Sequence, residues 1–192
     1  MPKQGIEIER RSALVTATIR EVGARGSLDV TVGQIARRAG VSSALAHHYF
    51  GTKENILLSA MRHILRTYGA EVRASLALAR TPRGRLDAVV RASFAPTNFQ
   101  PHVISAWLMF YVHAQTVPEA ARLLAIYKAR LASNLIHDLK PLVGGRAPHV
   151  ASGIGALIDG LYIRHGLQSL DHDPEAAARP VLEYLDMTLE QK

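Results

Sequence analysis

The sequence predicts an all-α protein of nine helices. Three observations carry this. Apolar residues recur at helical spacing almost throughout, glycine and proline fall between the periodic stretches, and no segment alternates with period two as a half-buried strand would.

Leu14, Val15, Thr18, Ile19 and Val22 line one face of a first helix, which the stretch from Gly23 to Asp29 is expected to break. Thr31 with Gln34 three residues on makes a capping box, in which the two side chains satisfy exposed backbone N–H groups. Gly40 ends that short helix, at a turn where positive φ suits a residue without Cβ. Ser42 or Ser43 caps the next helix, which runs to about Phe50. Gly51-Thr52 breaks again, and Lys53-Glu54 opens a long helix to about Ala79. Thr81-Pro82 starts another, with proline in the first turn where its missing donor does no harm. Pro101, Pro118 and Pro148 each start one, and Asp173-Pro174-Glu175 is a cap followed by a first-turn proline. Pro180 is expected to kink or split the last helix. The expectation is of short helices to about residue 52 and longer ones beyond.

With 192 residues, 48% hydrophobic and 20% charged, the chain can bury a sizeable core and is not a disordered tail. Lys plus Arg is 23 against 16 Asp plus Glu, a net charge of +7 that fits a nucleic-acid partner. Cysteine is absent, which excludes disulfides, thiolate metal sites and cysteine nucleophiles. The opening Met-Pro-Lys-Gln-Gly-Ile-Glu lacks the apolar run of a secretory signal. The most apolar stretches, Ala106 to Ala114 and Ile154 to Ile163, fall well short of the ~20 residues of a membrane span. A cytoplasmic location is therefore expected.

The run from Thr31 to Phe50 carries the strongest signal. Two helices flank a turn at Gly40, with Ile35, Ala36, Ala39, Val41, Ala46 and Tyr49 expected to be buried and Ala36 small because the helices cross there. This is the spacing of a DNA-binding helix-turn-helix, whose second helix enters the major groove. The plainer alternative is an αα-hairpin in an all-helical protein. Ser42, Ser43, Leu45 and His48 lie in the half of the second helix that meets base edges. Leu45 can touch a thymine methyl, while Ser43 and His48 can hydrogen-bond. Thr31 stands at a helix N-terminus, where free N–H groups suit a phosphate oxygen. Thr31 and Ser42 are equally ordinary caps, and Arg37 and Arg38 read as ambient positive field.

The segment Ile35-Ala-Arg-Arg-Ala-Gly-Val-Ser42, then His48-Tyr-Phe50 and Lys53-Glu54, resembles the amino-terminal domain of TetR-family repressors. The resemblance implies a nine-helix homodimer on a palindromic operator. It implies a DNA-binding domain over residues 1–52 and a ligand-binding and dimerisation domain over residues 53–192. Lys53 matches the family's phosphate-contacting lysine. Ala44 and His47 stand where the family often has glycine and tyrosine, and His47 replaces a phosphate-contacting hydroxyl. Residues 1–60 hold eight Lys/Arg against five Asp/Glu, so the basic excess is not concentrated there, and two heads on a dimer are needed for tight binding.

Of eleven aromatic residues, only Tyr49 and Phe50 precede residue 53. Trp107, Phe110 and Tyr111 are spaced i, i+3, i+4 and share a helical face. Asp159 and Tyr162 are i, i+3 on a later helix, and Tyr127 lies on a third. Several ring walls and one carboxylate suit a quaternary ammonium, which has no N–H to donate. Core packing is the alternative. Ala106-Trp107-Leu108 with Phe110, Leu131 to Leu139, Ala156-Leu-Ile-Asp-Gly-Leu161 before Arg164, and the opening Met-Pro-Lys resemble the family's choline-responsive branch, which represses glycine-betaine synthesis genes. That resemblance implies release of DNA on binding choline, with the helix from Lys53 as the lever. It also points to the last two helices as the dimer surface. There Gly153, Ala156 and Gly160 allow close approach, and Leu157, Leu161 and Leu185 fill the seam. Packing within one subunit is the alternative.

Enzyme chemistry finds no foothold. No pair of the nine histidines brackets a glutamate in a zinc-binding helix motif, and there is no G-x-S-x-G turn. Gly153-Ile-Gly155 begins like a dinucleotide loop, but Ile158 occupies the required third glycine position. No metal or cofactor is expected. Two other readings remain at this point: a repressor answering a different apolar or cationic molecule, and a ligand-independent architectural DNA binder.

Overall fold

The computed structural model describes residues 2–167 and 173–190. Among the described residues the elements are α1 (Pro2–Arg25), α2 (Val32–Arg38), α3 (Ser43–Phe50), α4 (Lys53–Leu78), α5 (Pro82–Ser93), α6 (Pro101–His113), α7 (Pro118–Val143), a 3-10 turn (Gly144–Arg146), α8 (Ala147–Leu167) and α9 (Pro174–Glu190), with no strand. The chain divides into two compact units, Met1–Ile64 with His102–Leu123, and Leu65–Pro101 with Leu124–Lys192. The first therefore takes the start of α4, all but the first residue of α6 and the start of α7.

In the first unit α1 packs on α2 and α2 on α3. Leu14, Val22, Ile35, Ala46, Ile56 and Phe110 are fully buried there. The capping box on α2 forms as its spacing predicts: Thr31 Oγ1 accepts from Gln34 N at 3.2 Å, and Gln34 Oε1 accepts from Thr31 N at 2.8 Å. Gly40 has φ +68°, so the turn between α2 and α3 uses the left-handed backbone that its lack of a Cβ permits.

The first helix departs from expectation. It is 24 residues long and runs through Gly23 to Arg25, and the chain turns only at Gly26, with φ +57°. Gly23 has a different purpose. A Cβ there would lie 2.0 Å from the carbonyl oxygen of His102, so α1 and α6 touch backbone to backbone at this point. Pro180 does not split α9, which stays helical from Pro174 to Glu190. Its missing N–H would have bonded the carbonyl of Ala176, and both residues are exposed, so water can take that carbonyl.

In the second unit α5 and α8 both pack on α9. Val89, Val90, Ile154, Val181 and Leu185 are fully buried in it. Arg85 Nε on α5 donates to Asp138 Oδ1 on α7 at 2.8 Å, and Asp138 is almost wholly enclosed. Such a pair is costly to break from one side, because it strands a buried charge.

Replacing Gly23 with alanine tests the crossing. Helix propensity alone favours alanine by about 1 kcal/mol. The clash is with backbone and no rotamer relieves it, so overpacking of about 1–3 kcal/mol should prevail. Urea denaturation of Gly23→Ala is expected to show a lowered midpoint, and a raised one would contradict the close approach.

Candidate nucleic-acid interface and aromatic core

Local chemistry places the predicted DNA-contacting residues. Ser42 caps α3, its Oγ accepting from Leu45 N at 3.1 Å. A capping hydroxyl uses a lone pair and keeps its own hydrogen for another acceptor, so capping and phosphate contact are compatible at Thr31 and Ser42. The N-termini of α2 and α3 converge. A Cβ on Gly33 would lie 3.5 Å from Ser43 Oγ and 3.8 Å from Thr31 Oγ1, so these two hydroxyls flank one bare stretch of backbone. Thr31, Ser42, Ser43, His47 and His48 are exposed, and Leu45 is half-buried. Of the six apolar positions expected to be buried, Ile35, Ala36 and Ala46 are, while Ala39, Val41 and Tyr49 are half-buried.

His47 and Lys53 are more constrained than surface residues usually are. His47 Nδ1 lies 3.0 Å from the carbonyl of Gly51, so Nδ1 donates, leaving Nε2 as the ring's other polar atom. Lys53 Nζ donates to the Leu28 carbonyl at 3.3 Å, tying the start of α4 to the loop after α1. An ammonium has three donors, so this bond leaves two.

Spacing gave no hint of two further ties. The Arg11 guanidinium stands 5.1 Å from the Tyr49 ring centre and 5.6 Å from that of Phe50, so α1 holds the end of α3 by cation–π attraction. Arg38 pairs with Glu21 of α1, and Arg25 joins at 3.6 Å. The hydrogen bond from Arg38 holds the Glu21 carboxyl below the usual carboxylate range, against the opposing effect of burial. Glu21, Arg25, Gln34, Arg37 and Arg38 line an open depression of about 350 Å³ between α1 and α2. Three arginines against one glutamate make it a positive patch on the unit that carries the helix-turn-helix.

The predicted ligand residues fall into two sets. Trp107, Phe110 and Tyr111 belong to the first unit. Phe110 is fully buried, Trp107 nearly so, and the Trp107 and Tyr111 rings meet edge to face at 5.3 Å. Tyr127, Asp159 and Tyr162 belong to the second unit, with partners that helical spacing did not reveal. The Tyr68 ring meets Tyr127 edge to face at 5.3 Å. Tyr162 lies tilted against Phe94 at 5.8 Å and edge to face with Phe99 at 5.5 Å, and Phe99 meets His165 edge to face at 4.9 Å.

Ser93, at the end of α5, joins these rings. Its hydroxyl donates to the Val89 carbonyl at 3.0 Å, so the Tyr68 hydroxyl, 3.5 Å from Ser93 Oγ, is the donor there. The Tyr162 hydroxyl donates to the Ser93 carbonyl. Burial pushes both phenols up, and the Asp159 carboxylate pushes them further. Both are therefore neutral near pH 7, with a carboxylate close enough for its field to be felt at each oxygen.

Among the expected dimer residues, Gly153 and Leu185 are occupied within the chain. A Cβ on Gly153 would meet the Tyr184 hydroxyl at 2.3 Å, and Leu185 is fully buried. Leu157 and Leu161 are half-buried, Ala156 is exposed, and a Cβ on Gly160 would meet nothing within 4 Å.

The family model for bacterial regulatory proteins of the tetR family matches residues 14–60. A model for the carboxy-terminal region of BetI-type transcriptional repressors matches residues 82–190. The chain belongs to the BetI-type branch of the TetR family. It is a helix-turn-helix transcriptional repressor of that branch and not an enzyme. The HTH-type transcriptional regulator BetI of Brucella melitensis biotype 2 is 50% identical over 190 residues, covering 98% of this chain and 96% of the relative. The BetI regulator of Agrobacterium fabrum is 49% identical over 190 residues, 98% and 92% of the two chains. A transcriptional regulator from Pseudomonas aeruginosa PAO1 superposes with a TM-score of 0.81 at 23% identity, over 100% of this chain and 93% of that one. A regulator from Saccharomonospora viridis, solved in complex with choline, superposes with a TM-score of 0.80 at 22% identity, over 92% and 95%. At these identities the structures show a shared fold. Among the described residues no helix is long and apolar enough to cross a membrane, and no group of three acidic or imidazole side chains is placed to hold a metal ion.

The Glu21–Arg38 tie gives a signed pH dependence. A carboxyl whose pKa is lowered by folding contributes stability above its unfolded range and loses that contribution as pH falls through the lowered value. Glu21→Gln is expected to be less stable than the parent near neutral pH, with the difference closing below about pH 4. Denaturant titrations across that range check it, and a gap independent of pH would contradict it.

Proposed function

We propose that this repressor binds a palindromic operator as a dimer and is released by choline or a related quaternary ammonium compound, derepressing betaine-synthesis genes. Residues 1–52 read the DNA, and the chain from residue 53 carries the ligand and dimer functions. The observation that carries the ligand reading is the second unit's set of tyrosines. The Tyr68 and Tyr127 rings meet edge to face, Tyr162 lies among Phe94 and Phe99, and the neutral Tyr68 and Tyr162 hydroxyls both turn to Ser93, with the Asp159 charge felt at each. Ring faces and one carboxylate attract a cation that has no hydrogen to donate. The choline found in the Saccharomonospora viridis structure supports the same chemistry on the same fold.

On the DNA side, Ser43, Leu45 and His48 present the base-reading face of α3. Thr31, Ser42, His47 and Lys53 hold phosphates around it. For the dimer, the surface of α8 sharpens the expectation. Ala156, Gly160, Ile163 and Leu167 follow one another at steps of four, three and four, the stripe along which two helices mesh. Ile163 and Leu167 are large apolar side chains left 48% and 78% exposed.

A ligand displaces the repressor only to the extent that it binds the released form more tightly. Choline at about 100 times its dissociation constant should add about 2.7 kcal/mol, raising the melting temperature by roughly 5–10 °C. Asp159→Asn should weaken choline binding about tenfold or more while leaving operator affinity in its absence unchanged. If millimolar choline moves neither the melting temperature nor the operator complex, the ligand reading fails. The DNA reading has its own test. Log affinity should fall linearly with log salt at about 0.9 per phosphate contacted, and Lys53→Gln should lower that slope by about 2 per dimer. A slope unchanged in the variant would remove Lys53 from the interface.

A further inference from the structure

Asn98 lies in the turn between α5 and α6, one residue before Phe99 and four after Phe94. Its side chain is enclosed, with 3% of the residue exposed, and Nδ2 finds no hydrogen-bond acceptor among the described residues. The turn itself is fixed: the backbone N–H groups of Asn98 and Phe99 both donate to the Ala95 carbonyl, at 2.8 and 2.9 Å. The amide is thus a buried donor on a hydrogen-bonded turn flanked by two phenylalanines whose rings both contact Tyr162. Leaving such a donor unpaired costs stability, and buried polar atoms in folded proteins nearly always have a partner.

We infer that Asn98 is the specificity-determining residue that reads the oxygen of the inducer. The inference rests on the proposal that the second unit takes a quaternary ammonium. The rings and Asp159 account for the cation, but a trimethylammonium group offers nothing to an N–H donor. The acceptor must be elsewhere in the molecule. In choline it is the hydroxyl oxygen two carbons from the nitrogen, and in the corresponding aldehyde it is the carbonyl oxygen. Asn98 therefore separates oxygen-bearing quaternary ammonium compounds from alkyl ones of the same size, because a site built around a donor penalises a ligand that leaves it unpaired.

The test compares choline with ethyltrimethylammonium, which has the same shape without the hydroxyl. Dissociation constants are measured by calorimetry on the full-length protein and on Asn98→Leu and Asn98→Ala. The parent should bind choline about tenfold or more tightly over ethyltrimethylammonium, as one hydrogen bond predicts. Asn98→Leu should lose that preference, keep its affinity for ethyltrimethylammonium within about twofold, and melt no lower than the parent without ligand. Asn98→Ala should lose the preference too, whatever its stability. If both compounds bind and the preference persists in both variants, or is absent from the parent, Asn98 is not the reader and the ammonium site stands. If the parent binds neither compound, the ammonium site falls and the inference with it.

Discussion

The first unit is organised around a place where no side chain fits. At Gly23 the backbone of α1 meets the backbone of α6 at His102, closer than any Cβ would allow. That crossing ties a helix far along the sequence to the one that opens the chain. The rest of the unit repeats the device on a smaller scale. Ala36 and Ala46 are buried alanines at the packing of α2 and α3, and Gly40 turns the chain between them with a left-handed backbone. The direction of α3, and with it the presentation of Ser43 and His48, follows from what is missing at these positions.

Around that frame the polar chemistry is economical. Thr31 and Ser42 end their helices and still keep a hydroxyl hydrogen to offer. His47 and Lys53 each bond to a carbonyl of the unit, at Gly51 and Leu28, which restricts where the remaining donors and acceptors can point. Groups held in this way lose less freedom on engaging a partner than free surface side chains would. Arg38, engaged with Glu21, is a framework residue as well as a source of positive field.

Local features were legible in the sequence, and long-range ones were not. The capping box at Thr31 and Gln34, the turn at Gly40 and the proline-led starts of α5, α6 and α7 depend on neighbours a few residues away. Gly23 was misleading because a glycine late in a periodic stretch looks like a stop, and only the distant His102 explains it. Helical spacing put Trp107, Phe110 and Tyr111 on one face of α6, yet spacing does not say what that face meets: Phe110 and Trp107 are buried in the first unit, and Tyr111 is half-buried against Trp107. Asp159 and Tyr162 were visible as a pair one turn apart. Their companions Tyr68, Phe94 and Phe99 come from the middle of α4, the end of α5 and the turn after it, and no single helical period joins them. Asn98 carries no signal at all until its burial is known.

The division of the chain has a consequence for how such proteins recombine. The amino-terminal block that carries the helix-turn-helix is continuous, but the body that folds around it also takes in residues 102–123. A chimaera that imports only the first sixty residues from a cousin inherits a foreign α6 opposite Gly23. Where the recipient's α6 runs even slightly nearer to α1, or where the imported α1 carries a larger residue at that point, the graft will not seat. Exchange of DNA specificity between these regulators should therefore succeed by altering the exposed face of α3 in place and fail by wholesale transplantation.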